Sequence, residues 1–297
     1  MNNESIVYLN GEFLPLSQAK ISVLDRGFIF GDGIYEVVPV YHRQPFRLKQ
    51  HLQRLENSLR GVGIRNPKTM EEWEMLFLNI IERAGFDQQA VYLQVTRGVA
   101  PRNHVFPKDT APTVFMMTNP LQSPTQEEIE QGLRCVSSED FRWLRCDLKT
   151  VSLLSNVLLR QISADANAAE TILFRNGFLT EGSTSNVLVV KNDIILAPPK
   201  DRYILHGISF DAVLEFASAI GATVKQRPIS RSEVDNADEL WLTSSGKEVL
   251  AITVLDNKPI GTGKPGALFQ KMWAYYQTQK PQPRDVVYPP LGDRHNR

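Results

Sequence analysis

The chain has 297 residues, 42% of them hydrophobic and 22% charged, which are the proportions of an ordinary globular protein. This length exceeds what one small core organises and favours two compact domains. The formal net charge is zero and the basic residues are scattered, so neither a nucleic acid nor an anionic membrane is expected as a partner.

The cysteine content and the first residues of the chain indicate in which cellular compartment the protein is expected. Cys135 and Cys146 are too few for a disulfide framework, which favours a reducing environment. The first residues carry neither the basic nor the apolar region of a signal peptide. No apolar run approaches the roughly 20 residues that a membrane-spanning helix requires. We therefore expect a cytoplasmic protein.

The first 119 residues predict a small α/β domain. A tight Asn10-Gly11 turn joins two short strands in a hairpin. Apolar residues that recur every three or four positions predict two helices. The predicted strands are 6–9, 12–14, 34–41, 45–48, 90–97 and 112–117, the helices are 49–60 and 70–84, and a proline-containing loop covers 99–111.

A polar segment with two prolines, 119–124, predicts a linker, which we place at 120–131. A larger, β-rich α/β domain is expected over 132–280, and the tail 281–297, with four prolines, is expected to be an extended appendage. Since the chain shows no sustained βαβ rhythm, the fold class is α+β with two segregated domains. The predicted strands are 132–138, 143–149, 171–175, 186–191, 193–197, 223–228, 239–243 and 249–255, and the helices are 153–168, 208–220 and 266–278.

Lys149 and Glu181 are the candidate catalytic pair. Lys149 ends the predicted strand 143–149, and Glu181 is the one carboxylate of the small-residue loop 180–186. A lysine that forms a Schiff base and a fixed carboxylate are the minimum for holding pyridoxal phosphate (PLP). The lysine captures the aldehyde, and the acid keeps the pyridine nitrogen protonated. The pair therefore indicates a PLP enzyme.

Four segments in order resemble the class IV (fold type IV) PLP-dependent aminotransferases, and within them the D-amino acid transaminases. They are 25–37, 101–104, 142–150 and 180–186. The resemblance covers nearly the whole chain. It implies a two-domain fold, PLP as the cofactor, no metal, amino acid and 2-oxo acid substrates, and a homodimer with its active site near the subunit interface.

The resemblance also implies individual roles. Lys149 matches the Schiff-base lysine that shuttles the Cα proton, and Glu181 matches the carboxylate that faces the pyridine nitrogen. Tyr35, which follows Gly31-Asp32-Gly33, matches an active-site tyrosine near the lysine and the substrate carboxylate. Without the resemblance, these three would be a surface lysine, a turn glutamate and a strand tyrosine packed at a domain interface.

The phosphate of PLP needs backbone amides and a cation. A helix that begins near Ile208 offers an anion site at its N-terminus. By resemblance, the amides of Ile208 and Ser209 and the Ser209 hydroxyl bind the phosphate, and a serine could equally cap the helix. The remaining cofactor residues implied by the resemblance are Arg54 and Ser245 at the phosphate and Leu205 against the ring. Gly246 stands where many relatives carry a hydroxyl, so one side-chain contact is absent there.

The loop 97–104 is expected to select the substrate. In D-amino acid transaminases an Arg-x-His pair, here Arg102 and His104, joins the tyrosine in binding the α-carboxylate, and the loop reaches the neighbouring subunit. An arginine fork suits a carboxylate because two N–H groups bond both oxygens. Holding the carboxylate on one side leaves one Cα configuration whose hydrogen points at Lys149.

Three enzyme functions remain open. The sequence favours transamination of D-amino acids, whereas transamination of branched-chain L-amino acids and a lyase that releases pyruvate from aminodeoxychorismate share the fold. The pair Arg102 and His104 counts against both alternatives. A protein of this fold used only for binding or scaffolding would be expected to lack Lys149 or Glu181, and both are present.

Overall fold

The structure is a computed structural model and describes residues 5–283, so the predicted appendage 281–297 lies almost wholly outside the described residues. Within that range the chain forms a six-stranded and a nine-stranded sheet with helices packed on both. The expected α+β fold with a small and a larger domain is confirmed.

The first sheet is antiparallel throughout, with the strand order β2-β1-β6-β5-β3-β4. The predicted Asn10-Gly11 hairpin forms its edge, and both turn residues have positive φ, as such a turn requires. The strands are β1 (Ile6–Leu9), β2 (Glu12–Pro15), β3 (Gly33–Tyr41), β4 (Gln44–Pro45), β5 (Gln89–Thr96) and β6 (Thr113–Pro120).

Helices α1 (Arg26–Phe30), α2 (Leu48–Val62) and α3 (Met70–Ala84) accompany this sheet. Thr69 and Glu72 form a capping box that satisfies the first amides of α3. The helical repeat of apolar residues buries one face of α2 and one of α3 against the sheet. The buried side chains of those faces include Leu52, Leu55, Leu59, Trp73, Phe77 and Ile80.

The second sheet is mixed, and three of its strand pairs are parallel. Its order is β12-β11-β10-β13-β14-β7-β8-β9, with β15 beside β14. The strands are β7 (Leu133–Glu139), β8 (Glu170–Arg175), β9 (Phe178–Gly182), β10 (Asn186–Lys191), β11 (Ile194–Ala197), β12 (Thr223–Gln226), β13 (Glu239–Ser244), β14 (Glu248–Leu255) and β15 (Lys258–Pro259). The helices are α4 (Gln126–Gln131), α5 (Leu154–Asp165), α6 (Ile208–Phe216), α7 (Arg231–Asp235) and α8 (Ala267–Gln279).

Two apolar cores hold this sheet. One lies beneath α6 and α8 and includes Trp241, Phe210 and Phe269, and the other lies on the opposite side around Leu242. Tyr41 and Phe46, which belong to the six-stranded sheet and the residues beside it, are part of the core beneath α6 and α8. The two sheets therefore pack against each other through this core. Because these side chains are packed together, the relative position of the two sheets is fixed, and so are the surfaces with which they face each other.

The prediction of a strand over 143–149 is wrong. This segment is an irregular loop in which Cys146 N–H donates to Arg202 O and Leu148 N–H donates to Arg145 O. Apolar and charged residues alternate there because Arg142 is buried in an ion-pair cluster while Trp143 is half exposed, and not because they face two sides of a strand. The predicted helix 208–220 is α6 followed by a 3₁₀ turn, and 153–168 ends at Asp165.

Two kinds of feature are absent from residues 5–283. No helix in that part of the chain combines the length and the apolar character of a membrane span. No group of three or more His, Cys, Asp or Glu side chains there is arranged to hold a metal ion.

Candidate active site

A cavity of about 660 Å³ brings most of the predicted site residues together. Its volume is that of a site for a small molecule of cofactor size. Of the ten residues predicted from the sequence, eight line it: Tyr35, Arg54, Lys149, Glu181, Leu205, Ile208, Ser209 and Ser245. They come from strands β3 and β9, from helices α2 and α6, and from loops, so the cavity forms only when the two sheets and their helices are packed together.

Lys149 is held by its backbone at the edge of the first sheet. Its carbonyl accepts a hydrogen bond from Tyr35 N–H at 2.9 Å, and its N–H donates to Ser58 Oγ at 3.3 Å. Its Nζ lies 4.2 Å from the centroid of the Tyr35 ring. The lysine and the tyrosine that the sequence predicted as neighbours therefore face the same space.

Glu181 is buried at the end of β9 and has hydrogen-bond donors on both oxygens. Oε2 accepts from Asn186 Nδ2 and from Leu205 N–H, each at 2.9 Å, and Oε1 accepts from Arg142 Nη1. Burial raises the pKa of Glu181 to about 7, although the Arg142 guanidinium and the Leu205 N–H act to lower it. Arg142 is shared with Asp140, which takes its other two donors.

Arg142 and Asn186 are functional neighbours of Glu181 that the sequence reasoning missed. Both stand inside the segments that were singled out, 142–150 and 180–186, but no partner was assigned to them. The available signal was an arginine two residues after an aspartate in an otherwise apolar context. A guanidinium in such a place needs buried carboxylates, and the two that Arg142 meets are Asp140 and Glu181.

Arg54 is buried rather than an exposed helix arginine, and it forms a two-pronged ion pair with Glu36. Its Nη1 also donates to His206 O at 3.1 Å, just before α6. Burial alone raises the pKa of Glu36, but the Arg54 guanidinium and His51 outweigh it and bring the pKa to about 2. Burial lowers the pKa of His51, and its Nδ1 lies 2.9 Å from Glu36 Oε2.

Removing the charge of Glu36 should lower the free energy of unfolding and make that free energy depend less on pH below pH 4.5. Because the folded pKa lies below the ordinary 4.5, the stabilisation is present above pH 4.5 and is lost as the pH falls towards 2. We expect Glu36→Gln to lower the free energy of unfolding by about 3 kcal/mol at pH 7, since Arg54 loses its buried partner. Denaturant titrations of both proteins between pH 3 and 7 measure this.

Glu233 provides the matched control. Its pKa is also lowered to about 2, by Arg227 and the Ser230 backbone, but this pair lies at the surface. Glu233→Gln should therefore cost less than about 1 kcal/mol. Equal losses in the two variants would contradict the view that burial makes the Glu36 pair important.

An anion-binding cradle forms where α6 begins. The N-terminal cap is Gly207, and no side chain accepts from the first amides of the helix. The predicted alternative, a serine cap, is not what the structure has. A β-carbon at Gly207 would collide with Asn186 Oδ1, so only glycine permits the close approach of this turn to β10. The amides of Ile208 and Ser209 remain available for a ligand in the cavity.

The cradle continues on the turn between β13 and β14, where Ser245 and Gly246 line the cavity. Nothing lies within 4 Å of the place where a side chain of Gly246 would begin, so the turn is open there. Thr243 Oγ1, also on the cavity wall, is buried without a hydrogen-bond partner among the described residues. Such an atom commonly marks a place where a polar ligand group binds.

These residues fit PLP. The free amides of α6, the buried Arg54 guanidinium and the Ser245 turn suit a phosphate dianion. The buried carboxyl of Glu181 suits the ring nitrogen, and Lys149 suits the aldehyde carbon. One cavity thus offers the three groups that this cofactor requires.

Arg102 and His104 do not line the cavity of their own chain. They are exposed on the loop between β5 and β6, and both lie near Phe30. The Arg102 guanidinium lies 5.4 Å from the Phe30 ring centroid, and the His104 and Phe30 rings are 5.2 Å apart. The pair is therefore brought together, but away from Lys149 of the same chain.

The sequence is similar to known aminotransferases over most of its length. The model of the amino-transferase class IV family matches residues 33–255. The D-alanine aminotransferase of Bacillus licheniformis is 37% identical over 262 residues, which cover 88% of this chain and 92% of that protein. The D-alanine aminotransferase of Staphylococcus aureus (strain N315) is 36% identical over 267 residues, or 90% and 94% of the two chains.

Solved structures show the same fold. The branched-chain amino acid aminotransferase of Escherichia coli matches with a TM-score of 0.87, covering 95% of this chain and 97% of that one at 22% identity. A branched-chain enzyme of T.th., solved with pyridoxamine 5′-phosphate, matches with a TM-score of 0.86 at 24% identity, over 93% and 94% of the chains. The chain belongs to the class IV aminotransferases, which depend on pyridoxal phosphate.

Proposed function

We propose that the enzyme transfers the amino group of a D-amino acid, D-alanine or one like it, to a 2-oxo acid such as 2-oxoglutarate or pyruvate. The observation that carries this proposal is the convergence of Lys149, Glu181 and Arg54 on one cavity, in a chain 37% identical to a D-alanine aminotransferase. The likeness to branched-chain enzymes supports the fold and does not decide between the two substrate classes.

When bound, PLP supplies an electron sink for negative charge that develops on the substrate Cα. Lys149 Nζ would take the proton from Cα of the amino donor and, in the half-reaction with the 2-oxo acid, would deliver a proton to Cα of the new amino acid. Glu181 would hold a proton on the ring nitrogen, and its burial would make that interaction stronger than it is in water. Arg54 and the first amides of α6 would hold the phosphate.

The substrate carboxylate is assigned to Arg102 and His104 of the neighbouring subunit, together with Tyr35 of the chain that holds Lys149. Large apolar side chains near the 102–104 loop support a subunit interface there: Phe28, Val105 and Phe106 are 69%, 73% and 58% exposed. The proposal is therefore a homodimer whose active site is completed by its partner. Two buried, unpaired cysteines are in keeping with the cytoplasm.

The test of this function is the handedness of the amino donor. D-alanine with 2-oxoglutarate should give pyruvate and D-glutamate, whereas L-alanine and L-leucine should be poor donors. In Arg102→Leu we expect kcat/KM for D-alanine to fall about 10- to 100-fold, because the carboxylate loses a charge-assisted, two-pronged partner. Initial rates over a range of donor concentrations measure both effects.

Arg145 provides a control, since it is an exposed arginine paired with Asp147 outside the cavity wall. Arg145→Leu should keep KM near that of the unaltered enzyme. A preference of the unaltered enzyme for L-leucine would instead support the branched-chain alternative. Pyruvate formed from aminodeoxychorismate without an amino acceptor would support the lyase.

A further inference from the structure

The segment 25–35 contains two motifs, Asp25-Arg26-Gly27 and Gly31-Asp32-Gly33, to which the proposed function assigns no task. Both aspartates are buried or nearly so. Asp25 accepts from Gly27 N–H at 2.8 Å and from Thr113 Oγ1 at 2.6 Å, and so ties α1 to the start of β6. Asp25 thereby holds one end of the loop between β5 and β6.

Asp32 forms a more extensive contact with the same loop, through two arginines. Arg26 Nε donates to Asp32 Oδ2 at 2.8 Å, and Arg97 donates with Nε at 2.8 Å and Nη2 at 3.0 Å. The Arg26, Arg97 and Asp32 side chains are 4%, 8% and 11% exposed. Two buried guanidiniums thus share one carboxylate. Removing the charge of that carboxylate would leave both buried arginines without their partner, which is destabilising.

Each of these two arginines contacts the loop between β5 and β6 at one residue. Arg26 Nη1 donates to Asn103 O, the carbonyl between Arg102 and His104. The Arg97 guanidinium lies 3.6 Å from the centroid of the Phe106 ring, which is a cation–π contact. The loop is therefore fixed in the middle of the Arg-x-His pair and again two residues after it.

Arg97 is itself anchored to the body of the small domain. Its Nη1 and Nη2 donate to Gly63 O and Val62 O, each at 2.8 Å, at the end of α2. The main chain adds two bonds, from Arg26 N–H to Gly98 O and from Arg97 N–H to Asp32 O. Arg97, which Asp32 binds, thus joins the end of α2 to an otherwise exposed loop.

The same segment also touches the backbone around Lys149. Ser152 Oγ donates to Gly31 O and Val151 N–H donates to Gly33 O, while Tyr35 N–H donates to Lys149 O. Residues 31–35 therefore contact the backbone around Lys149, and Asp32 among them also binds Arg26, which donates to Asn103 O of the 102–104 loop. One short segment sets the positions of both.

We propose that Asp32 is a specificity-determining positioning residue that acts through Arg26 and Arg97. It fixes the backbone at Asn103, so that Arg102 and His104 form a preorganised receptor for the α-carboxylate of the substrate. This inference rests on the proposed function. It extends it by assigning the geometry of the receptor to a residue that does not touch the substrate.

The experiment compares Asp32→Asn with the unaltered holoenzyme in three measurements, which are steady-state kinetics with D-alanine, propionate binding and hydrogen exchange, and PLP binding serves as a check on the active site. We expect KM for D-alanine and the dissociation constant of propionate, a carboxylate without an amino group, each to rise about tenfold, while kcat changes less than about threefold. Hydrogen exchange of the peptide 97–106 without substrate should be about tenfold faster, because the loop loses its anchor. PLP affinity and absorbance should stay unchanged.

Asp256→Asn is the matched control. Asp256 is also a partly buried aspartate paired with an arginine, Arg231, but it lies in the turn after β14, outside the cavity wall. It should change none of the three measurements. If Asp32→Asn does not fold, Arg26→Lys takes its place, since it keeps a cation beside Asp32 but loses the fork that reaches Asn103.

The outcomes separate the inference from the function it rests on. If Arg102→Leu weakens propionate binding and neither Asp32→Asn nor Arg26→Lys does, the positioning role of Asp32 is overturned and the carboxylate receptor stands. If Arg102→Leu itself binds propionate normally, the receptor and the role of Asp32 are both overturned. Weaker propionate binding together with faster exchange of 97–106 supports the inference.

Discussion

Lys149→Ala is expected to bind PLP without a covalent bond and to lose turnover by about 10⁴-fold or more, the upper range for removal of a proton-transferring group. The reason is geometric. Nζ of Lys149 lies over the Tyr35 ring inside the cavity, and the lysine backbone is fixed by Tyr35 and Ser58. Mass spectrometry after borohydride reduction locates the lysine that is covalently linked to PLP. Product sampled at fixed times measures the residual rate of turnover.

Lys247 is the control for this variant, because it is a second lysine on the cavity wall. Its Nζ donates to Ala169 O at 3.1 Å, which holds it against the second sheet. Lys247→Ala should keep the link at Lys149 and most of the activity. Covalent capture at one defined lysine in Lys149→Ala would show that the Schiff-base residue had been assigned wrongly.

Regular elements could be predicted from the sequence wherever the pattern is local. The Asn10-Gly11 turn gives its hairpin, and the apolar repeat gives α2 and α3. The short helices α1, α4 and α7 could not be predicted, because five or six residues carry too little periodicity. Their capping residues, such as Thr125 with Glu128, were a signal that could have been used for α4.

Those residues of the candidate site that lie in recognisable motifs could be predicted from the sequence. Lys149 and Glu181 stand far apart in sequence, yet their chemistry together with the resemblance predicted that they share one site, and both line the cavity. The groups that hold them could not be found this way. Arg142 and Glu36 meet their partners through long-range packing, and a lone charged residue in a sequence does not name its partner.

Glu170 is a further example of support that the sequence does not reveal. This fully buried carboxylate accepts from the backbone of Thr171 and from hydroxyls of the loop after Glu181. Ser183, Thr184 and Ser185 all donate their hydroxyl protons to it. The loop that follows Glu181 is therefore held by the Glu170 carboxylate, and Glu181 itself lines the cavity.

Glu181→Gln should separate cofactor capture from chemistry. We expect PLP still to be linked at Lys149, while kcat falls about 10²- to 10³-fold, the usual cost of losing one preorganised charged group in a water-excluded site. A neutral amide cannot hold a proton on the ring nitrogen by charge attraction. It also leaves Arg142 with one carboxylate instead of two. Single-turnover absorbance with D-alanine measures the chemical step.

Glu239→Gln is a close control for that variant. Glu239 accepts two backbone N–H bonds, from Leu268 and Phe269, and one side-chain N–H bond from Trp241. Its donors therefore resemble those of Glu181, but it lies outside the cavity wall. Glu239→Gln should lose some stability and keep the rate of the chemical step. If Glu181→Gln reacts as fast as Glu239→Gln, another group must hold the proton of the ring nitrogen, and the assignment of Glu181 is wrong.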